Sequence, residues 1–134
     1  MSDSVKHLVA HAREEVRNMS VTEVAEALES GKVTLVDLRE ADEVRRDGAI
    51  PLAVQAPRGM LEFWADPSSP YHRAEFDPSA PTILYCASGG RSALGAQTLQ
   101  RLGYTDVAHL DGGLGAWKEH GRPVTFQAGD RTDS

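Results

Sequence analysis

The stretch TILYCASGGRSALGAQTLQRLG, residues 82–103, constrains the fold of this chain most strongly. Its first four residues are strand formers, so we predict a buried strand that ends at Cys86. Ser92 is a favourable N-cap, and apolar residues then recur at helical spacing until Gly103, which predicts a helix after the loop. The single cysteine of the 134-residue chain therefore lies where a strand gives way to a helix.

Small side chains dominate the connection between this strand and this helix. Such a loop can curl so that its backbone N–H groups converge, and the positive end of the helix behind them completes an anion-binding concavity. Cys86 lies at the lip of this concavity. A helix N-terminus and a neighbouring arginine both favour ionised sulfur, so we expect Cys86 to be largely thiolate at neutral pH. The residues predicted to form the cradle are Ala87, Ser88, Gly89, Gly90, Arg91 and Ser92.

A lone cysteine at the end of a core strand also has a structural interpretation. Free cysteine is among the most buried residue types, and a lone cysteine in an arbitrary chain is more often a core thiol than a nucleophile. The order strand, cysteine, glycine loop, arginine, helix is more specific than a lone residue. This order favours a reactive sulfur that needs no histidine base.

Composition argues against several classes of protein. The net charge of −6 disfavours a general binder of nucleic acid or of an anionic membrane surface. One cysteine excludes an intramolecular disulfide and a cysteine-rich zinc site, and we expect neither a metal nor a cofactor. No segment has the length and apolarity of a signal peptide or of a membrane span, which predicts a cytoplasmic protein.

Strands alternate with helices along the chain, which predicts an α/β fold with an open, mainly parallel five-stranded sheet and helices on both faces. The predicted domain covers residues 20–126. A helical extension, residues 1–19, precedes it with an amphipathic helix over residues 5–17, and a polar, flexible tail, residues 127–134, follows it. The segments predicted as strands are residues 33–38, 53–56, 82–85 and 107–110.

Charged residues follow the first two predicted strands. Asp37 and Arg39 stand at the end of the first strand, and Arg58 comes just after the second. Ligands of open α/β sheets bind beyond the carboxyl ends of the strands, so these residues fall on the same edge as Cys86. Arg58 is a candidate contact for an anionic substrate, and a solvated arginine is the alternative. For Asp37 and Arg39, a role at the site and an ordinary ion pair or helix cap are equally consistent with the sequence.

Four segments resemble the rhodanese family, in particular its single-domain bacterial sulfurtransferases. The resemblance runs from about residue 20 to residue 124. It implies that Cys86 is the catalytic cysteine, that residues 87–91 form the amide cradle with Ser92 starting the helix, and that Asp37 and Arg39 support the site. The segments are LVDLRE (35–40), GAIPLAV (48–54), YCASGGRSALGAQTLQRLGY (85–104) and HLDGGLGAWKEHGRPV (109–124).

The segment over residues 48–54 departs from the family pattern. Members often show Gly-His-Ile-Pro-Gly-Ala there, whereas this chain has Ala49 in place of the histidine and Leu52 in place of the second glycine. The change concerns the local loop shape and the substrate preference. The predicted fold does not depend on it.

The loop chemistry and the resemblance together predict sulfane-sulfur transfer through a Cys86 persulfide. The expected partners are a small anionic donor such as thiosulfate, a thiophilic acceptor such as cyanide or a thiol, and in a relay another sulfur-carrying protein. Arg91 and Arg58 are the residues expected to hold the donor. Two other functions stay open, namely a non-enzymatic persulfide carrier and a cysteine phosphatase or arsenate reductase. Protein phosphatases typically place five residues between cysteine and arginine, whereas four separate Cys86 from Arg91.

Overall fold

A parallel sheet of five strands forms the centre of the molecule. The computed structural model describes residues 4–127. The strands are β1 (Arg17–Met19), β2 (Thr34–Asp37), β3 (Val54–Gln55), β4 (Thr82–Tyr85) and β5 (Val107–Leu110). They lie in the order β1-β5-β4-β2-β3, and each neighbouring pair is parallel. The predicted α/β fold with a mainly parallel five-stranded sheet is therefore confirmed.

Six helices accompany the strands in the described residues. They are α1 (Val5–Glu15), α2 (Val21–Glu29), α3 (Ala41–Asp47), α4 (Leu61–Ala65), α5 (Gly90–Arg101) and α6 (Gly113–Glu119), and a 3-10 turn, Arg58–Met60, leads into α4. Within residues 4–127, no helix has both the length and the apolar character that a membrane crossing requires. Residues 128–134, nearly all of the predicted tail, lie outside the described residues.

Side chains of the central strands alternate between the two faces of the sheet, and this divides the core into two layers. Leu84 and Cys86 belong to a cluster with residues of α4 and α5, whereas Ile83 and Tyr85 belong to a second cluster with residues of α2 and α6. Successive strand side chains point to opposite faces of a sheet, so the two clusters lie on its two sides. The prediction of helices on both faces is confirmed.

The predicted N-terminal helix ends two residues early, because an edge strand follows it. Helix α1 stops at Glu15, and residues 17–19 pair with β5. The Asn18 side-chain amide donates to the carbonyl oxygens of Arg13 at 3.0 Å and of Val16 at 3.2 Å, which satisfies backbone groups where the helix ends. A strand of three residues is too short to show alternation, so the hydrophobic pattern did not reveal it.

Helix α5 packs closely on the sheet at Gly95. A Cβ at this position would lie 2.7 Å from Leu38 Cδ1 and 3.2 Å from methyl groups of Leu61 and Leu84. Real Cβ atoms do not approach other atoms so closely, and any larger residue would push the helix outward. The glycine therefore determines how closely the middle of α5 packs on the sheet.

The segment that departs from the family pattern keeps a backbone shape that suits glycine. Leu52 has a φ of +71°, and within residues 4–127 it is the one non-glycine residue with positive φ. Its side chain is 96% exposed, so burial of that side chain does not compensate for the strain. The left-handed conformation costs an L-residue about 1–2 kcal/mol.

We expect Leu52→Gly to stabilise the fold by about 1 kcal/mol, because the strain disappears and only part of the gain is offset by glycine entropy. In a domain of this size the melting temperature should rise by about 3–5 °C, measured by calorimetry. Leu52→Ala is the matched control, since it removes the side chain and keeps a Cβ on the strained backbone. An equal rise for the alanine variant would mean that the conformation at Leu52 is not the cause.

Candidate active site

Cys86 follows β4 directly and lies at the floor of the loop that leads into α5. The residue is 1% exposed, and its sulfur accepts the Gly89 N–H at an N···S distance of 3.1 Å. Gly89 has a φ of +110°, a conformation that favours glycine, and this turn aims its amide at the sulfur. A backbone N–H aimed at the sulfur stabilises negative charge on it. The sequence predicts several converging amides, and the structure directs that of Gly89 at the sulfur. The cradle role of Ala87, Ser88, Gly90 and Arg91 stays a prediction.

The helix after the loop begins earlier than the sequence pattern indicates. Helix α5 starts at Gly90, and Gly89 is its N-cap, so the prediction that Ser92 caps and starts this helix is wrong. Ser92 is instead buried in the first turn, with its Oγ 3.6 Å from Cys86 Sγ. The left-handed Gly89 lets the chain enter the helix two residues before the serine, which carries the hydroxyl inside, behind the sulfur.

Helix α6 holds the outer side of the loop. The Leu114 N–H donates to the Cys86 carbonyl at 2.9 Å, and the Gly115 N–H donates to the Ala87 carbonyl at 3.1 Å. Gly113 packs against the same backbone, where a Cβ would lie 2.5 Å from the Cys86 carbonyl oxygen. The first turn of α6 therefore binds two carbonyl groups of the loop from outside.

Arg91, which follows the loop, forms an ion pair with Glu43 of α3. Its guanidinium binds both carboxylate oxygens of Glu43, at 2.7 and 3.0 Å. These hydrogen bonds lower the pKa of Glu43 to about 2, so Glu43 is charged at neutral pH. The bonds to Glu43 raise the pKa of Arg91, and the nearby Cys86 sulfur acts in the same direction. The sequence analysis did not single out Glu43, because a glutamate in the first turn of a helix is common.

Asp37 and Arg39 form a buried ion pair beside the end of β4. Arg39 Nε and Nη2 bind the two carboxylate oxygens of Asp37 at 3.0 and 2.7 Å, and both residues are at most 1% exposed. The Tyr85 hydroxyl donates to Asp37 at 2.8 Å, and Arg39 donates to the Gly48 carbonyl at 2.8 Å. Burial, followed by the charge of Asp37, raises the pKa of Tyr85, so this hydroxyl stays a donor. The pair thus ties β2 and the end of α3 to the residue that precedes Cys86.

Arg58 makes its contacts further along α5. Its Nη1 binds Glu62 at 2.8 Å, and its Nη2 donates to the Thr98 hydroxyl at 3.2 Å. Thr98 lies six residues beyond Ser92, about 9 Å along the helix axis. The structure therefore gives Arg58 two partners within the fold, and its contact with an anionic substrate stays a prediction.

Two polar residues behind the sulfur were missed by the sequence analysis. His109 in β5 is fully buried, with Nδ1 2.8 Å from Ser92 Oγ and Nε2 2.6 Å from Asn18 Oδ1. Contacts thus run from Cys86 through Ser92 and His109 to Asn18. The signal available in the sequence was a histidine in the otherwise apolar strand VAHL, since a buried polar side chain requires partners.

Metal-ligating side chains do not cluster in the part of the chain that the structure describes. Among residues 4–127, no group of three or more His, Cys, Asp and Glu residues is arranged to hold a metal ion. On α1, His11 Nε2 lies 3.4 Å from Glu15 at an exposed position.

Comparison with known proteins shows which family this chain belongs to. Residues 20–120 match the family described as the rhodanese-like domain. The chain belongs to the rhodanese family. A similar rhodanese relative is a sulfurtransferase of Allochromatium vinosum, 34% identical over 97 residues that cover 72% of this chain and 82% of the relative. Another is thiosulfate sulfurtransferase 18 of Arabidopsis thaliana, 31% identical over 124 residues that cover 85% of this chain and 87% of the relative.

The rhodanese fold also appears in a similar solved structure. A protein of unknown function from Rhodopseudomonas palustris, described as a possible tyrosine phosphatase, superimposes with a TM-score of 0.88 at 38% identity. The match covers 93% of this chain and 96% of the other. The fold is therefore shared over nearly the whole length of both chains.

We expect Asp37→Asn to destabilise the fold by about 3–5 kcal/mol, because it leaves the charge of Arg39 buried without its counter-charge. Urea unfolding followed by circular dichroism measures the loss. Asp47→Asn is the matched control, since it removes the same charge from the surface pair with Arg46, whose side chains are 65% and 40% exposed. That control should change stability by at most about 1 kcal/mol. Equal losses in the two variants would contradict the structural role assigned to the buried pair.

Proposed function

We propose that this rhodanese-family protein is a sulfurtransferase that moves sulfane sulfur from thiosulfate, or a related donor, to a thiophilic acceptor through a persulfide on Cys86. The observation that carries the proposal is the position of Cys86 at the floor of the loop, with the Gly89 N–H aimed at its sulfur. The sulfurtransferase relatives support the same general activity. A lone thiol that must stay reduced suits a reducing compartment, so the proposal includes a cytoplasmic location.

In the first half-reaction the Cys86 thiolate attacks the outer sulfur of thiosulfate. The new S–S bond forms as the bond between the two sulfur atoms of thiosulfate breaks, and sulfite leaves with that electron pair. Cys86 then carries one additional sulfur as a persulfide anion, and the total charge is unchanged. The Gly89 N–H is directed at Sγ of the free cysteine, so it stabilises the thiolate that attacks. In the loaded cysteine the charge lies on the outer sulfur.

In the second half-reaction a thiophilic acceptor attacks the outer sulfur of the persulfide. With cyanide the products are thiocyanate and the Cys86 thiolate, and the S–S electron pair returns to the cysteine. The free enzyme is restored without any redox partner. Because the donor product leaves before the acceptor reacts, the kinetics are ping-pong.

Arg91 is the cation best placed to attract an anionic donor, since it lies in the first turn of α5, directly after the loop. Its charge is already shared with Glu43 through two hydrogen bonds. A donor anion therefore competes with a carboxylate that is ionised at neutral pH. In this proposal Glu43 weakens the binding of small anionic donors.

Two other functions are separated from this proposal by experiment. The phosphatase alternative draws on the description of the R. palustris protein, although the loop of this chain holds four residues between Cys86 and Arg91. The carrier alternative keeps Cys86 and its persulfide but needs a partner protein as donor or acceptor. Fast persulfide exchange with such a protein, combined with slow turnover of thiosulfate, would favour the carrier.

The test of the proposed function is the intact mass of the protein after incubation with thiosulfate. Wild type should gain one sulfur atom, Cys86→Ser should gain none, and cyanide should remove the sulfur while thiocyanate forms. Both proteins are also incubated with an aryl phosphate. A wild type that takes up no sulfur from thiosulfate or polysulfide would overturn the proposal, and sustained phosphate release would establish the phosphatase alternative.

We expect Glu43→Gln to lower the KM for thiosulfate about fivefold, because it removes the carboxylate that competes for Arg91. This factor corresponds to about 1 kcal/mol, the upper value for a partly exposed ion pair. Steady-state thiocyanate formation at low ionic strength measures the change.

Asp42→Asn is the matched control for this experiment, since it removes the same charge from an exposed neighbouring position of α3. A similar fall in KM for both variants would assign the effect to net charge. An unchanged KM in Glu43→Gln would mean that Arg91 does not contact the donor.

Arg58→Ala, assayed in parallel, tests the second predicted contact with the donor. If the thiosulfate kinetics stay the same in this variant, Arg58 does not bind the donor.

A further inference from the structure

The side-chain amide of Asn18 has one orientation that its neighbours allow. Its Nδ2 faces the carbonyl oxygens of Arg13 and Val16, at 3.0 and 3.2 Å. Carbonyl oxygens only accept hydrogen bonds, so the NH₂ group must face them and Oδ1 must face the other way. Oδ1 lies 2.6 Å from His109 Nε2. Backbone groups at the end of α1 thus determine that His109 meets an acceptor.

The acceptor at Nε2 determines the tautomer of His109. An amide oxygen can bond to Nε2 only if this nitrogen carries a proton. In the neutral ring, Nδ1 is then an unprotonated acceptor. Its partner is Ser92 Oγ, 2.8 Å away, whereas the Gly89 carbonyl lies 3.3 Å from the same hydroxyl. The nearer acceptor takes the single hydroxyl proton of Ser92, which therefore lies between Oγ and Nδ1.

The neutral ring is the form that its surroundings favour. His109 is fully buried, and burial lowers its pKa to about 4. Asp111, two residues further along the chain, opposes this shift, whereas Arg13 from α1 adds to it. His109 is therefore uncharged in the folded protein around neutral pH and keeps the proton pattern that Asn18 imposes.

Because Ser92 donates its hydroxyl proton to His109, it can act toward the Cys86 sulfur only as a hydrogen-bond acceptor. Ser92 Oγ lies 3.6 Å from Cys86 Sγ, and a hydroxyl has one proton and two lone pairs. With its proton directed at Nδ1, Ser92 turns a lone pair toward the sulfur. It can accept from a thiol, but it cannot donate to a thiolate.

We propose that His109 is a positioning residue that holds the Ser92 hydroxyl as an acceptor toward Cys86 and so withholds a hydrogen-bond donor from the thiolate. The inference deepens the proposed function, since it takes Cys86 as the nucleophile. A sulfur with fewer donors is a more basic and stronger nucleophile once ionised. The chain from Asn18 through His109 to Ser92 therefore adjusts the balance between the amount of thiolate and its reactivity.

The test is the pH profile of Cys86 alkylation by iodoacetamide, which needs no sulfur donor. His109→Phe keeps a ring but removes the acceptor, and the freed Ser92 proton can turn to the sulfur. The competing acceptor, the Gly89 carbonyl at 3.3 Å, is neutral and weaker than a thiolate. The midpoint of the profile should fall by about 0.5–1 pH unit. At a pH well below the midpoint, the rate of alkylation should then rise about three- to tenfold, if the thiolate itself is equally reactive in both proteins.

His109→Gln is the matched control, because its side-chain oxygen can accept from Ser92 while its NH₂ donates to Asn18. Its profile should coincide with that of wild type. A midpoint that shifts equally in the glutamine and phenylalanine variants would overturn the proposal. An unchanged profile in His109→Phe would overturn it as well.

The Ser92→Ala background separates the proposed route from a general effect of the substitution. If His109 acts through the Ser92 hydroxyl, His109→Phe should cause no further shift once the hydroxyl is absent. A shift of the same size in that background would show that His109 acts by altered packing or solvation, and the proposal would fail.

Wild-type protein provides a measurement that does not depend on any variant folding. Long-range ¹H–¹⁵N NMR spectra distinguish the tautomers of His109, and we expect a neutral ring with the proton on Nε2 at pH 7. A proton on Nδ1, or a charged ring, would contradict the proposal. Sulfur uptake from thiosulfate is measured separately, so its failure would overturn the proposed function and leave the alkylation result standing.

Discussion

The buried ion pair of Asp37 and Arg39 is the interaction on which the geometry of the site depends. Two full charges without solvent contact are costly, and here they are offset by each other, by the Tyr85 hydroxyl and by the Gly48 carbonyl. Tyr85 also accepts the N–H of Ile50 at 3.0 Å. Because Tyr85 directly precedes Cys86, these partners set the position of the loop relative to the neighbouring strand. The Asp37–Arg39 pair, which the sequence analysis placed at the edge of the sheet, therefore supports the loop through Tyr85.

Sequence patterns predicted the elements that depend on local chemistry. The apolar run before Cys86 and the glycine-rich loop after it each carry their own signal, and the structure has both. Features that depend on distant partners were missed. Strand β1 is defined by its pairing with β5, and the acceptor of Arg91 is a residue 48 positions earlier in the chain. The Ser92 prediction failed for a local reason, because the left-handed Gly89 lets the helix begin before the usual type of capping residue.

The charges near Cys86 are distributed differently from what the loop sequence alone suggests. Arg91 is neutralised in part by Glu43, and the backbone amide of Gly89 is directed at the sulfur. The polar groups behind the sulfur come from β1 and β5. Strand β1 is connected to Cys86 through Asn18, which contacts His109. Fixed backbone dipoles stabilise a small anion without favouring any one donor. In the proposed function, discrimination between donors then depends on the side chains around the loop, such as Arg91 and Glu43.

The contact of α6 with the loop also bears on the two states of Cys86, free and persulfidated, that the proposed function requires. Two loop carbonyls are bound by Leu114 and Gly115, and Gly113 leaves no free space behind them. The peptide groups next to Cys86 are therefore oriented before any ligand arrives. In the proposed transfer the charge moves from the cysteine to the sulfur bound to it, and peptide groups held in this way would need little rearrangement. The reorganisation energy that water would demand at each transfer would then be largely avoided.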